Sequence, residues 1–348
     1  MRTTFLAGAA ALALIAAVGT AEAQQKLAFT SFGGAYQEAQ RKALLEPVAK
    51  ELGITWVEDT LTGIAEVRAQ VRAGAVSWDI VDLGLADCAA AQSEGLLEPL
   101  DYSLISTEGF DKMAFDTHWI GIIYYSTVLG YSTEKYKDKT PLGWKDFWDV
   151  KGFPGVRSLR DYPTPNLEIA LLVDGVPKDQ VYQVLATEEG VQRAFKKLDE
   201  IKSHITVWWK SGAQSAQLAK DGEVDMLSIW NGRLDTVIKD GAKFTYSYDD
   251  GILSLDCLAV IKGSKNKDLA MKALARMVAP DLQANMPLYI NYGPTTSKAF
   301  ETGKITPEMA KISPSSPDNA KKQLVIDARF WAVHRQKMQE RWDAWKTR

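Results

Sequence analysis

Three observations predict an α/β fold of two discontinuous lobes joined by hinge strands. Apolar runs ending at glycine alternate with amphipathic stretches after the N-terminal segment. Two apolar runs, 120–131 and 251–261, are about twice the length of an ordinary strand. A second alternating run lies between those two.

The elements follow in order. Residues 27–32 read as a strand that breaks at Gly33-Gly34, and 36–52 as a helix with Ala39, Ala43, Leu44, Val48 and Leu52 near one face. A short strand at 55–57, a helix over 64–73 and a buried strand over 78–83 ending at Gly84 complete the first run. This βαβ alternation implies a mostly parallel sheet covered by helices on both faces. In such sheets ligands sit outside the carboxyl ends of strands, here Phe32-Gly33-Gly34 and Asp82-Leu83-Gly84. Strands near 156–159 and 224–230 belong to the second run. The two long strands bracket it, as a protein with paired hinge strands requires; a single large sheet is the competing architecture. The expected lobes are 24–128 with 257–300, and 129–256 with 301–348. Residues 328–348 read as an amphipathic helix whose Phe330, Trp331, Val333, Trp342 and Trp345 serve packing.

The N-terminus indicates the compartment. Met1-Arg2-Thr3-Thr4 is a short basic start, an alanine-rich apolar stretch runs to about Val18, and Ala21-Glu22-Ala23 is an A-x-A cleavage pattern. Residues 1–23 are therefore read as a signal peptide, and the mature chain as soluble and periplasmic. Of the 348 residues 46% are hydrophobic and 24% charged, enough for full cores, and the net charge of −3 includes no polycationic face for nucleic acid. Cys88 and Cys257 are the two cysteines. In an oxidising compartment they suit a disulfide, and equally two buried thiols.

Catalytic and metal chemistry find no support in the motifs. His118, His204 and His334 stand apart from one another and from the cysteines, with no zinc spacing. No GxSxG, Walker loop or GxGxxG follows a strand. Tyr124-Tyr125 would suit ferric iron, but adjacent strand residues face opposite ways. The chain is read as a binding protein, not an enzyme, with no cofactor.

The ordered set Phe29-Thr30-Ser31-Phe32-Gly33-Gly34-Ala35-Tyr36, Trp78-Asp79-Ile80-Val81, Glu94 to Leu100, Gly222-Glu223-Val224-Asp225, Trp230-Asn231-Gly232-Arg233, Gly251 to Asp256 and Tyr292-Gly293-Pro294-Thr295 resembles the spermidine/putrescine-binding branch of the extracellular solute-binding proteins. The terminal Phe330-Trp331 to Trp342 helix fits the same pattern. The resemblance implies a type II periplasmic-binding-protein fold, a cleft between lobes and a partner ABC permease. It places the amine-binding aspartate on Asp256, the aromatic wall on Trp230 and Tyr292, and an acidic contact on Asp161 or Glu168. The chain departs from polyamine binders where Ser254 stands in place of a tryptophan. Phe32-Gly33-Gly34-Ala35 and Gly84-Leu85-Ala86 also replace polar and aromatic clusters.

Those departures remove contacts that a long di- or tri-cation needs. Arg233, if it lines the cleft with Asp256, supplies a cation for a carboxylate opposite an anion for an ammonium; an inter-lobe or surface salt bridge suits it equally. The expected ligand is a small amino compound, a short ω-amino acid of the γ-aminobutyrate kind. A polyamine such as putrescine or spermidine is the alternative, and ferric iron or an oxyanion a third. Phe32, Gly33, Trp209, Trp230, Arg233, Asp256 and Tyr292 are the candidate contacts, with Asp82 and Asp161 as further ones. Capture by a monomer is expected.

Overall fold

The computed structural model describes residues 25–348, so the signal peptide expected over 1–23 lies outside the described residues. Among the described residues ten strands occur: β1 Lys26–Ser31, β2 Thr55–Thr60, β3 Ile80–Gly84, β4 Ile120–Ser132, β5 Arg157–Arg160, β6 Ile205–Trp209, β7 Met226–Trp230, β8 Phe244–Val260, β9 Gly293–Pro294 and β10 Leu324–Val325. The main order is β2-β1-β3-β8-β4-β7-β5-β6, with β9 on β4 and β10 on β8. β1 is parallel to β2 and β3, and β5 is parallel to β6 and β7. Two parallel α/β units therefore flank the two long strands, of 13 and 17 residues. Because β4 and β8 run antiparallel through both units, the two halves share one hydrogen-bonded sheet.

The registers fix where a cleft can form. β3 runs antiparallel to β8 and ends with Gly84 opposite Asp256, while β7 runs antiparallel to β4 and ends with Trp230 opposite Thr127. Both units thus aim strand carboxyl ends at one central stretch, 123–127 of β4 against 252–256 of β8. That is where ligands enter open α/β sheets.

Alternation along the strands separates two core layers, one on each face. Leu27, Phe29, Ile80, Leu227, Ile229, Leu258 and Val260 pack on one face. Val81, Leu83, Met226, Cys257 and Ala259 pack on the other, with the helices Leu85–Ser93, Pro163–Val173 and Ala328–Lys346. β8 begins at Phe244, earlier than its apolar run announces. Its first half is polar, and between Ser247 and Ile252 it leaves the ladder, with Asp250 at φ 57°. β6 also went unrecognised as a strand: short and rich in tryptophan, it lacks a clean period of two.

The terminal helix Ala328–Lys346 touches both units. Trp331 Nε1 donates to Glu168 and Trp345 Nε1 to Asp199, while Arg335 pairs with Asp87 on the helix Leu85–Ser93. That last helix is also held covalently. Cys88 and Cys257 form a disulfide with Cα atoms 6.6 Å apart, closing a loop between residues 169 positions apart. Such a loop closure stabilises by roughly 2–5 kcal/mol, chiefly by restricting the unfolded chain. The Cys88→Ala/Cys257→Ala double variant should lose that amount in urea unfolding, and reduction of the parent should reproduce the loss. A midpoint unmoved by both changes would contradict the assignment.

Candidate functional site

A cavity opens at the central stretch of β4 and β8. Its water-holding volume is about 40 Å³, and its lining includes Phe32, Tyr125, Arg160, Trp230, Asp256 and Tyr292. Each of these stands at a strand end or on the hinge pair. Phe32 follows β1, Trp230 ends β7, Arg160 ends β5, and Tyr125 and Asp256 lie mid-way along β4 and β8. The rings form a continuous wall. Phe32 and Trp230 meet edge-on at 5.9 Å, Tyr125 lies 6.0 Å from Trp230 and 6.1 Å from Tyr292, and Tyr36 closes on Tyr292 at 5.3 Å. Gly84 borders this floor: a Cβ there would lie in ordinary contact with the Tyr125 hydroxyl at 3.6 Å and an Asp256 oxygen at 3.7 Å.

Two opposite charges enter the cavity without protein counter-ions. Among the described residues neither Arg160 nor Asp256 forms an ion pair within 4.0 Å. The Arg160 guanidinium lies over Tyr162 at 4.3 Å and Trp230 at 5.1 Å from the ring centres. Asp256 is buried, and Asp82 lies behind it on β3. Asp82 accepts from Gln40 Nε2 at 2.5 Å and Ser31 Oγ at 3.0 Å. Burial pushes Asp82 up to about 7 and Asp256 well above the usual carboxylate range; the charge on Asp82 raises Asp256 further, and Arg160 opposes it. The buried Tyr36 hydroxyl, which makes no hydrogen bond within 3.5 Å among the described residues, favours the ionised forms of both carboxyls. The arrangement receives a cation at the carboxyls and an anion at the guanidinium.

The family model for bacterial extracellular solute-binding proteins matches residues 49–311. This chain belongs to that family. A γ-aminobutyric acid-binding protein of Pseudomonas aeruginosa is 36% identical to this solute-binding protein over 337 residues, 96% of this chain and 95% of the relative. The periplasmic spermidine/putrescine-binding protein of Escherichia coli matches at 24% over 327 residues, 90% of this chain and 89% of its own. Among solved structures, MotA of A. tumefaciens B6 in complex with glucopine superposes with TM-score 0.90 at 40% identity, covering 92% of this chain and all of its own. The Atu4243 GABA receptor superposes with TM-score 0.81 at 37% identity, covering 92% and 98%. These neighbours carry the two-lobed fold of ABC-transporter substrate-binding proteins, which in bacteria are periplasmic. Among the described residues no helix of the solute-binding protein is long and apolar enough to cross a membrane.

The expected contacts divide into two groups. Phe32, Trp230, Asp256 and Tyr292 line the cavity together. Gly33, Trp209, Arg233, Asp82 and Asp161 do not. Trp209 is fully buried beneath Trp230 at 5.4 Å and donates to the Ser228 carbonyl. Arg233 stands just outside the lining, 5.3 Å over Trp230, and its charge reaches Asp256; its Nη2 donates to the carbonyls of Phe32 and Gly33 at 3.1 and 3.0 Å, tying the second unit to the first. Gly33 thus contributes a carbonyl to closure. Asp161 accepts from Trp342 Nε1, and Glu168 is buried against Tyr182 and Trp331, neither of them in the cavity lining. Tyr125 lines the cavity while Tyr124 donates to Asp111, in keeping with strand alternation. Arg160, Tyr125 and Tyr162 were missed. The carboxyl end of β5 was the available signal, because the same rule that selected Phe32 and Gly84 selects Arg160.

The buried carboxyl pair has a consequence for stability. A carboxyl whose folded pKa is raised keeps its proton in the folded state after the unfolded chain has released its own. Stability therefore falls as pH rises from about 4 through about 7. Asp82→Asn should reduce that slope, the remainder belonging to Asp256 and Glu168, which burial also raises, and should stabilise the unliganded protein at pH 8 by on the order of 2–4 kcal/mol. Urea unfolding from pH 5 to 8 measures it; a parent slope left intact in the variant would contradict the burial account.

Proposed function

We propose that this chain is the periplasmic binding component of an ABC importer. It captures a short ω-amino acid of the γ-aminobutyrate kind, as a monomer without catalysis, and delivers it to a membrane permease. The carrying observation is that Arg160 and Asp256, each without a protein counter-ion, line one small aromatic cavity. A guanidinium takes a carboxylate through two parallel hydrogen bonds and an aspartate takes an ammonium. Trp230, Tyr125 and Tyr292 cover the methylenes and offer the ammonium a ring face. The water-holding volume of about 40 Å³ corresponds to roughly three or four waters, about 100 Å³ of liquid, which suits a ligand of about seven heavy atoms. A diamine would set its second ammonium beside Arg160. The 36% identity to a γ-aminobutyric acid-binding protein supports the same reading.

Closure of the two lobes, 24–128 with 257–300 on 129–256 with 301–348, brings Phe32, Tyr125 and Tyr292 of the first onto Arg160, Trp230 and Asp256 of the second around one ligand. A ligand that touches both sides binds the closed state better and shifts the population toward it. Arg233, bridging to Phe32 and Gly33, favours closure without choosing the ligand.

Calorimetric titration with γ-aminobutyrate and putrescine separates these roles. Arg160→Ala should cost γ-aminobutyrate about 2–5 kcal/mol, as for truncating one partner of a buried charge pair, and leave putrescine unharmed. Asp256→Ala should weaken both ligands, and Arg233→Ala should weaken both equally. An Arg160→Ala protein that binds γ-aminobutyrate as tightly as the parent, or a parent that prefers putrescine, would overturn the proposal.

A further inference from the structure

The ligand cavity is separated from a second, larger space by one side chain. Tyr162 lines both the inner cavity and an outer cleft whose water-holding volume is about 590 Å³. The outer cleft carries charges of mixed sign, among them Glu66, Arg72, Lys210 and Asp343. Tyr162 is fixed from three directions. Its hydroxyl lies 3.0 and 2.8 Å from the two oxygens of Asp87, and Arg335 Nη2 donates to the same hydroxyl. Arg335 also pairs with Asp87 at 2.8 Å, both side chains being only 6% exposed. Gly63 leaves the room for this cluster: a Cβ there would come within 2.9 Å of the Tyr162 hydroxyl and 3.0 Å of Asp87. The cluster joins the helix Leu85–Ser93 of the first unit to Tyr162 of the second and to the terminal helix.

We propose that Tyr162, held by Asp87 and Arg335, is the end wall that sets the maximum length of the ligand. This rests on the functional reading above, in which a carboxylate sits on Arg160. The Tyr162 ring stacks on that guanidinium at 4.3 Å, so it lies where the next methylenes of a longer ω-amino acid would have to go. The ring is pinned rather than hinged, because moving it would break the hydrogen bonds that its hydroxyl makes with Asp87 and Arg335, both buried. Buried polar groups that lose a partner resist such displacement. Without the ring, the inner cavity and the outer cleft become continuous, and a longer chain reaches charged groups and water instead of an aromatic face.

The test is calorimetric titration of the parent, Tyr162→Ala and Tyr162→Phe with ω-amino acids of four, five, six and eight carbons, and with diamines of the same lengths. The parent should prefer the four-carbon over the six-carbon ω-amino acid by roughly tenfold or more, the usual discrimination of a closed pocket against surplus methylenes. Tyr162→Ala should lose Arg160 stacking and bind the short ligand more weakly, yet its short-to-long ratio should collapse to within about threefold. Tyr162→Phe keeps the ring and loses the hydroxyl contacts, so it should weaken the whole series while retaining the parent ratio. A merely structural role for Tyr162 would lower all affinities in proportion. An unchanged ratio in Tyr162→Ala therefore overturns the wall alone. A parent that binds only the diamines overturns the ω-amino-acid reading, and the ratio in the diamine series then decides the wall. A parent that binds neither series overturns both.

Discussion

The antiparallel pairing of β4 with β8 is the constraint on which the rest depends. Each strand is too long for one α/β unit, so each is shared by two, and the register of the shared ladder sets where both units end. Gly84 opposite Asp256 and Trp230 opposite Thr127 bring the carboxyl ends of two sheets to a single stretch. Phe32, Tyr125, Arg160, Trp230 and Asp256 in the cavity wall come from that stretch or from a strand end aimed at it. A slip of one residue in β8 would turn Asp256 to the opposite face of the sheet and put a core side chain in the cavity.

The cavity is costly to build and is made worthwhile by its ligand. Asp82 and Asp256 are carboxyls removed from water that form no close ion pair among the described residues, only the more distant charges of Arg160 and Arg233 reaching Asp256, and burial of an unpaired charge costs several kcal/mol. The protein contains that cost by letting the pair hold on to protons and by surrounding Asp82 with Gln40 and Ser31. In the proposed reading an arriving ammonium would supply the missing counter-ion, and a carboxylate would do the same for Arg160. Binding would then stabilise groups that belong to both units, which would couple capture to closure. The polar ties that cross between units, Arg233 to the Phe32 and Gly33 carbonyls and Tyr162 to Asp87, hold the closed arrangement.

Much of the fold was legible in the sequence because buried parallel strands are apolar runs and their glycine stops are visible. The first unit, the two hinge strands and the terminal helix follow from that signal. β6 and the first half of β8 did not, because tryptophans and acidic residues interrupt their period. The site was legible where one rule sufficed. Phe32, Trp230, Asp256 and Tyr292 stand on strand ends or the hinge, or match the resemblance. Arg233 was chosen for its charge and its place after β7, but a long side chain at the start of a helix reaches whichever acceptors the neighbouring unit presents, and here these are backbone carbonyls. Arg160 was missed because it sits between a four-residue strand and a proline-rich turn, and nothing local marks its guanidinium as unpaired. Tyr162 depends on Asp87 and Arg335, 75 and 173 residues away in the chain, a relation that spacing does not carry.

The account's central claim is an orientation: amine on Asp256, carboxylate on Arg160, inside one closed cavity. A crystal structure of the protein grown with γ-aminobutyrate tests it directly. The account predicts the ammonium within about 3 Å of the Asp256 carboxylate and the ligand carboxylate facing the Arg160 guanidinium at hydrogen-bond distance. A ligand bound in the reverse sense, or seated outside the ring wall of Tyr125, Trp230 and Tyr292, would contradict it.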